Sequence, residues 1–339
     1  MPVPSRPPLH KASIPDAVVA ASWSPDGTRA LVGGASGGLW LANATGEVVG
    51  TLPGHKDGLF HAAWQPGGPL AASVGQDGHA RVWDPVSGTQ IAAIPAGNAW
   101  AEHLAWSPSG EWLAIAAGRI LTLWHCDRGI VHVLPSHRST LSTLAWRPDS
   151  GVVAAAAYGG VVLWDPITGT STGSLPWKTS MLSLAWSPDN RWVVAGTQDL
   201  AIQVWPLPFS EGEELAMSGY PGKVRELAWH ASGRYLATGG SDQVMVWDCG
   251  GKGPAGTTPR MLEGHLARIT ALAYQNRGHV LASGGHDGLV FFWNAGKSSQ
   301  PLRQSAVGGP VTAMAVSPDD RILLAGAHDG TLAWTAFPV

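Results

Sequence analysis

Thirteen histidines, two cysteines and one Gly-x-Ser-x-Gly stretch are the parts of this 339-residue chain with the raw chemistry for metal binding, redox work or acyl transfer. A zinc-type site needs three or four ligands brought together. His286 and His328 each precede an Asp-Gly turn, but they make only two. No metal and no cofactor is therefore expected. Cys126 and Cys249 are two thiols in a long chain, too few for a disulfide framework. Redox work would need a lowered pKa and a second thiol close by. Gly34-Ala-Ser36-Gly-Gly38 fits a nucleophile pattern that works on a strand-to-helix elbow. Its surroundings read as strand, turn, strand. The chain shows neither a phosphate-cradling Gly-Lys-Ser/Thr loop nor a His-Glu-x-x-His run. No catalytic residue is assigned, and the chain is expected not to be an enzyme.

The elements that must position these residues come from a repeat. An aromatic or apolar anchor followed by a turn recurs at Trp23, Trp64, Trp106, Trp146, Trp186, Trp229, Tyr274 and Val316, spaced 40 to 45 residues apart. The turn is plain in Trp23-Ser-Pro-Asp-Gly27 and Trp186-Ser-Pro-Asp-Asn190. Proline fixes φ and Asp-Gly accepts the reversal, so each is a hairpin turn. After each anchor comes a short Ala/Val-rich run, a second turn that is often Asp-Gly, and a strand ending in Trp, as at Trp83, Trp164 and Trp293. A last short strand closes the period. Four short antiparallel strands per repeat is the unit of a propeller blade. No stretch offers a convincing helical period, so almost no helix is expected.

These residues resemble the WD40-repeat family. Gly54-His55 and Gly264-His265 match its Gly-His, and Trp83-Asp84, Trp164-Asp165 and Trp247-Asp248 match its Trp-Asp. The resemblance implies a buried His, Ser/Thr, Asp, Trp tetrad in each blade. Two repeats match it in full: His55, Ser73, Asp77, Trp83, and His265, Ser283, Asp287, Trp293. Repeat six has Tyr220 at the His position, repeat five has Trp177 there, and repeat four keeps His137 and Trp164 but loses the Asp.

The expected fold is all-β: a WD40-type β-propeller of eight four-stranded blades, with seven as the alternative if the degenerate first repeat lies outside the ring. Residues 1–8 read as an N-terminal tail and 9–339 as one propeller domain. The last repeat stops after three strands, and Leu9 to Ile14 is a lone strand before the first anchor. It is expected to pair with those three and close the ring, which removes exposed sheet edges.

Charged residues are 13% of the chain, about half the usual share of roughly 25%. Net charge is −3 without a long run of either sign, so nucleic acid is not an expected partner. No window is long and apolar enough for a bilayer span, and the Pro-rich start lacks the apolar stretch of an ordinary secretory signal. A cytoplasmic, monomeric ring is expected. The narrow rim gathers the candidate partner-binding residues Trp100, Trp177, Tyr220, Lys223, Arg268, His286, His328, Gln76 and Gln198, of which Trp, Tyr and Arg are the types that dominate binding hot spots. The expected function is a non-catalytic scaffold for a protein or peptide at that rim or at the mouth of the central channel. The alternative is a propeller enzyme or small-molecule binder at the channel. Val18, Leu59, Leu141, Met181, Val224, Ile269 and Val311 are expected near the channel axis, and their small or apolar character speaks against a polar catalytic site.

Overall fold

A computed structural model of the protein describes residues 3–97 and 100–338. Met1 and Pro2 of the expected tail, and Val339 at the end of the expected domain, lie outside the described residues.

Every regular element among the described residues is a strand. Repeat two shows the local logic. Leu59–Trp64, Ala71–Gly75, His79–Asp84 and Thr89–Pro95 form one antiparallel sheet, in that order. The second strand is buried along its whole length and the fourth is mostly exposed, so the sheet runs from a packed interior to a solvated outer edge. Ala and Val suit the second strand because neighbouring sheets press on both its faces.

First strands pack against first strands of the adjacent repeats. The seven apolar residues expected near the axis are fully buried or nearly so and do not line an open channel. Val18, Leu59 and Val311 are knobs that enter the neighbouring repeat. Leu59 sits where a Cβ on Gly33 would come within 2.5 Å of it, and Val311 where a Cβ on Gly284 would come within 2.6 Å. A side chain at either glycine would push the two sheets apart.

Seven sheets make up the blades, not the eight expected. Six have four strands and one has six. The difference does not come from the first repeat, whose Val18–Trp23, Arg29–Gly34, Leu39–Asn43 and Val48–Leu52 form a sheet of their own within the ring. Repeats four and five share one sheet. In it Val153–Asp165 is continuous through Gly159 and Gly160, both at positive φ. Thr170–Trp186 is the last strand of repeat four and the first of repeat five in one run. Tyr158 pairs with Ser180 and Gly160 with Pro176. In repeats two and seven a Gly-His loop breaks the chain at this point. Here Pro176-Trp177-Lys178-Thr179-Ser180 offers no glycine, and the chain stays extended.

The ring closes as the sequence implies. His10–Ser13 pairs antiparallel with Thr331–Ala336, with His10 opposite Trp334 and Ser13 opposite Thr331. Upstream, Ser5 bridges Gln304 on the outer strand of repeat seven, so the segment before Leu9 lies along the rim of the preceding repeat.

Candidate interaction rim and the tetrads beneath it

Beneath the rim, the two full tetrads are assembled. His55 Nδ1 meets Asp77 Oδ1 at 2.9 Å, and its Nε2 meets Ser73 Oγ at 2.8 Å. Trp83 donates its indole N–H to the same Ser73 Oγ at 2.9 Å. The second copy repeats this, with His265 on Asp287 and Ser283 at 3.0 and 2.9 Å, and Trp293 on Ser283 at 2.8 Å. A buried serine hydroxyl thus ties the second and third strands to the loop that leads into the first, and each polar group has its partner. Burial pushes both imidazoles below the usual histidine value despite the adjacent carboxylates. For Asp77 burial works upward, but Arg81 and His55 outweigh it and hold the carboxyl down at about 2.

Repeats six and four solve the same problem with fewer groups, and repeat five leaves it unsolved. In repeat six the Tyr220 hydroxyl meets Thr238 Oγ1 and accepts from Trp247, each at 2.8 Å. Asp242 is exposed and takes no part. In repeat four Trp164 donates directly to His137 Nε2 at 3.1 Å, because Ala155 stands where repeat two has Ser73. In repeat five the indole nitrogens of Trp177 and Trp205 are buried without a hydrogen-bond partner, and Asp199 is exposed.

The candidate rim residues therefore divide. Tyr220 is buried and structural, a correction of its place on the rim. Trp177 is half-buried, packed into the core of the joined sheet with Lys178 over its ring. Gln76 is half-buried against Gly58. Trp100 is 55% exposed and leans on Phe60 with ring centroids 5.7 Å apart. Lys223, Gln198, His286, His328 and Arg268 are exposed. Arg268 is paired with Glu226 at 3.2 Å. Tyr158, 61% exposed on the continuous strand, and Leu266, 88% exposed on a loop, also lie on the rim, and sequence reasoning missed them. Leu266 follows the tetrad His265 directly, which is the signal that could have found it.

Polar groups also stand on the innermost strands. His61 is open to solvent yet so enclosed by protein that burial pushes its imidazole down to about 4, with His103 adding to the effect. A residue of a first strand that is both enclosed and wetted faces the central channel. His103 is pushed the same way by burial. Glu226 is almost fully covered, and burial raises its carboxyl against the pull of Arg268. The channel is thus more polar than the apolar knobs suggested. Among the described residues, no three His, Cys, Asp or Glu side chains are gathered as a metal site, and no helix is long and apolar enough to cross a membrane. Ser36 sits in a strand-to-strand turn, with its hydroxyl on Asp16 at 3.2 Å.

A closed ring of radially packed antiparallel sheets with His-Ser-Asp-Trp networks defines a β-propeller of the WD type. The WD domain, G-beta repeat, matches residues 46–84, 128–165, 169–206, 213–248, 256–294 and 300–333, and the chain belongs to the WD40-repeat family. Over 79 residues it is 28% identical to a chromatin assembly factor 1 subunit of Gallus gallus, covering 23% of this chain and 14% of that protein. Over 78 residues it is 33% identical to the small ribosomal subunit protein RACK1 of Glycine max, covering 23% and 24%. The matched region spans less than a quarter of either relative. The crystal structure of the computationally designed Ika8 protein superposes with a TM-score of 0.84 at 25% identity, over 98% of this chain and all of that one, which shows the likeness of fold.

Proposed function

We propose that this protein is a non-catalytic scaffold that grips a protein or peptide partner on the narrow rim. The observation that carries this reading is Trp100, a large aromatic held half out of the surface by Phe60 on a rigid ring. A preorganised aromatic binds at a low ordering cost, and exposed Lys223, His286 and His328 add polar groups elsewhere on the ring. The matched relatives support the reading, since one is a subunit of an assembly factor and the other a ribosomal subunit protein by name. Two unpaired cysteines fit a reducing, cytoplasmic setting. The test is affinity capture from the source cells with wild type and with a Trp100→Ala/Lys223→Ala/His286→Ala variant of unchanged melting temperature. A protein held by the first and lost by the second supports the scaffold. Equal capture by both removes the rim from the reading.

A second reading has its own observation. His61 and His103 in the channel could receive a small molecule. Histidine ring signals that move on addition of a metabolite mixture, and stay still in His61→Ala, would favour it.

A further inference from the structure

Repeat four contains a cavity of about 440 Å³. Its origin lies in what the repeat has lost. Ala155 removes the hydroxyl that bridges histidine and tryptophan in repeat two. The second turn is one residue shorter and carries Gly159 and Gly160 where repeat two has Asp77. The space those groups would fill is left open beside His137 and Trp164.

The walls are apolar, with Ala155, Ala157, Val161, Trp164 and Leu175 among them. Pro135 and Pro176 stand at the lips with exposed Tyr158. None of the described lining residues is a carboxylate, whereas Arg138 lines the cavity and is exposed. Arg119 stands beside it, donating from Nε to the His137 carbonyl at 2.6 Å. Lys178 follows two residues after Pro176. Arg119 and Arg138 come from adjacent repeats, so a ligand that meets both is extended.

We infer that this cavity seats an acidic peptide segment of a partner protein, with one bulky apolar side chain entering beside Trp164 and its carboxylates meeting Arg138 and Arg119. The inference rests on the scaffold reading and gives that reading a partner chemistry. Volume fits, since ligand pockets run from about 300 Å³ upward and a single bulky side chain needs less. Charge fits as well, since a partner carboxylate meets guanidinium groups and no like charge at the lining.

The experiment is selection of short random peptides, displayed on phage, against the whole protein. Binding of an enriched peptide is then followed by the indole N–H signal of Trp164, assigned through Trp164→Phe. Enriched sequences should carry Asp or Glu on both sides of a Leu, Ile or Phe, and should move the Trp164 signal. Ala157→Leu, which fills the cavity, and Arg138→Glu, on an exposed side chain, should each weaken binding by at least about tenfold. Melting curves check that both variants are folded. Basic or neutral enriched peptides, or acidic ones that bind Ala157→Leu as well as wild type, would overturn the inference, and so would the absence of any enriched peptide. If the triple rim variant still loses a captured protein while the cavity takes no peptide, the cavity inference fails and the scaffold reading stands.

Discussion

Trp23 donates its indole N–H to the carbonyl of Ala315 at 3.1 Å, joining residues 292 positions apart. The same bond links Trp106 to Ala63, Trp146 to Ala105 and Trp186 to Ala145, each anchor reaching the preceding repeat. At the seam between the last repeat and the first, this local habit becomes ring closure. Trp64 is the control, because its indole nitrogen is buried without a partner. Trp23→Phe should therefore cost about 1 kcal/mol more than Trp64→Phe, the net value of one such bond. Denaturant midpoints of the two variants measure the difference, and equal values would remove the bond from the stability of the seam.

Each tetrad hydroxyl ties two strands to the loop that enters the repeat. Ser73→Ala strands a histidine nitrogen and an indole N–H in a buried site. A loss of about 2–3 kcal/mol is expected, from two unsatisfied buried groups. Tyr220→Phe removes the equivalent bridge of repeat six and should cost a similar amount, whereas Trp100→Ala should change stability by less than about 0.5 kcal/mol as a surface substitution. Chemical denaturation of the three variants separates the structural residues beneath the rim from a partner-facing one on it.

Knobs and glycines can be tested as a pair. Gly284→Ala places a Cβ against Val311 and should destabilise the protein by about 1–3 kcal/mol, the usual cost of overpacking. Val311→Ala in the same chain should recover part of that loss, and a double-mutant cycle reads the coupling. A cycle that closes additively would mean the two sheets separate freely at this point.

Stability should fall as pH drops below about 6.5, the value at which an unfolded histidine titrates. Burial pushes His55, His103, His137, His230 and His265 below that value, and His61 to about 4. The unfolded chain then binds more protons than the folded one, so the contribution is complete above 6.5 and is lost toward the folded values. Asp77, held at about 2, adds a contribution present above its unfolded value that disappears only as pH falls toward 2. Melting temperature measured from pH 7.5 to 4 should decline, and His61→Gln should make the decline shallower. A flat profile would contradict neutral buried imidazoles.

The repeat was legible because its signals are local. Pro-Asp turns, Ala/Val strands and terminal tryptophans each reflect a contact within one period. The two full tetrads were legible for the same reason, as His55, Ser73, Asp77 and Trp83 keep a fixed spacing. The joined sheet was not, because continuity from Thr170 to Trp186 depends on pairing between Tyr158 and Ser180 in separate repeats. Tyr220 was misplaced for a physical reason. A tyrosine spans the distance that histidine and serine cover together, so it can occupy the tetrad from the same loop position that would expose it. The channel was misread because the first strands carry an irregularity after their first residue, as between Leu59 and His61, and this turns the next residues toward the axis.

Pairing of His10–Ser13 with Thr331–Ala336 also sets an order of events during synthesis. Until residue 336 has emerged, the growing protein is an open arc with an unsatisfied strand edge at each end, the kind of surface that recruits other chains. Closure joins the strand at His10–Ser13 to the one at Thr331–Ala336, so its loop takes in every sheet between them and nothing made before the second strand can substitute. A ribosome that stalls before Thr331–Ala336 is made would leave an arc with both edges bare, and holding such an arc until its closing strand is made is a task for chaperones.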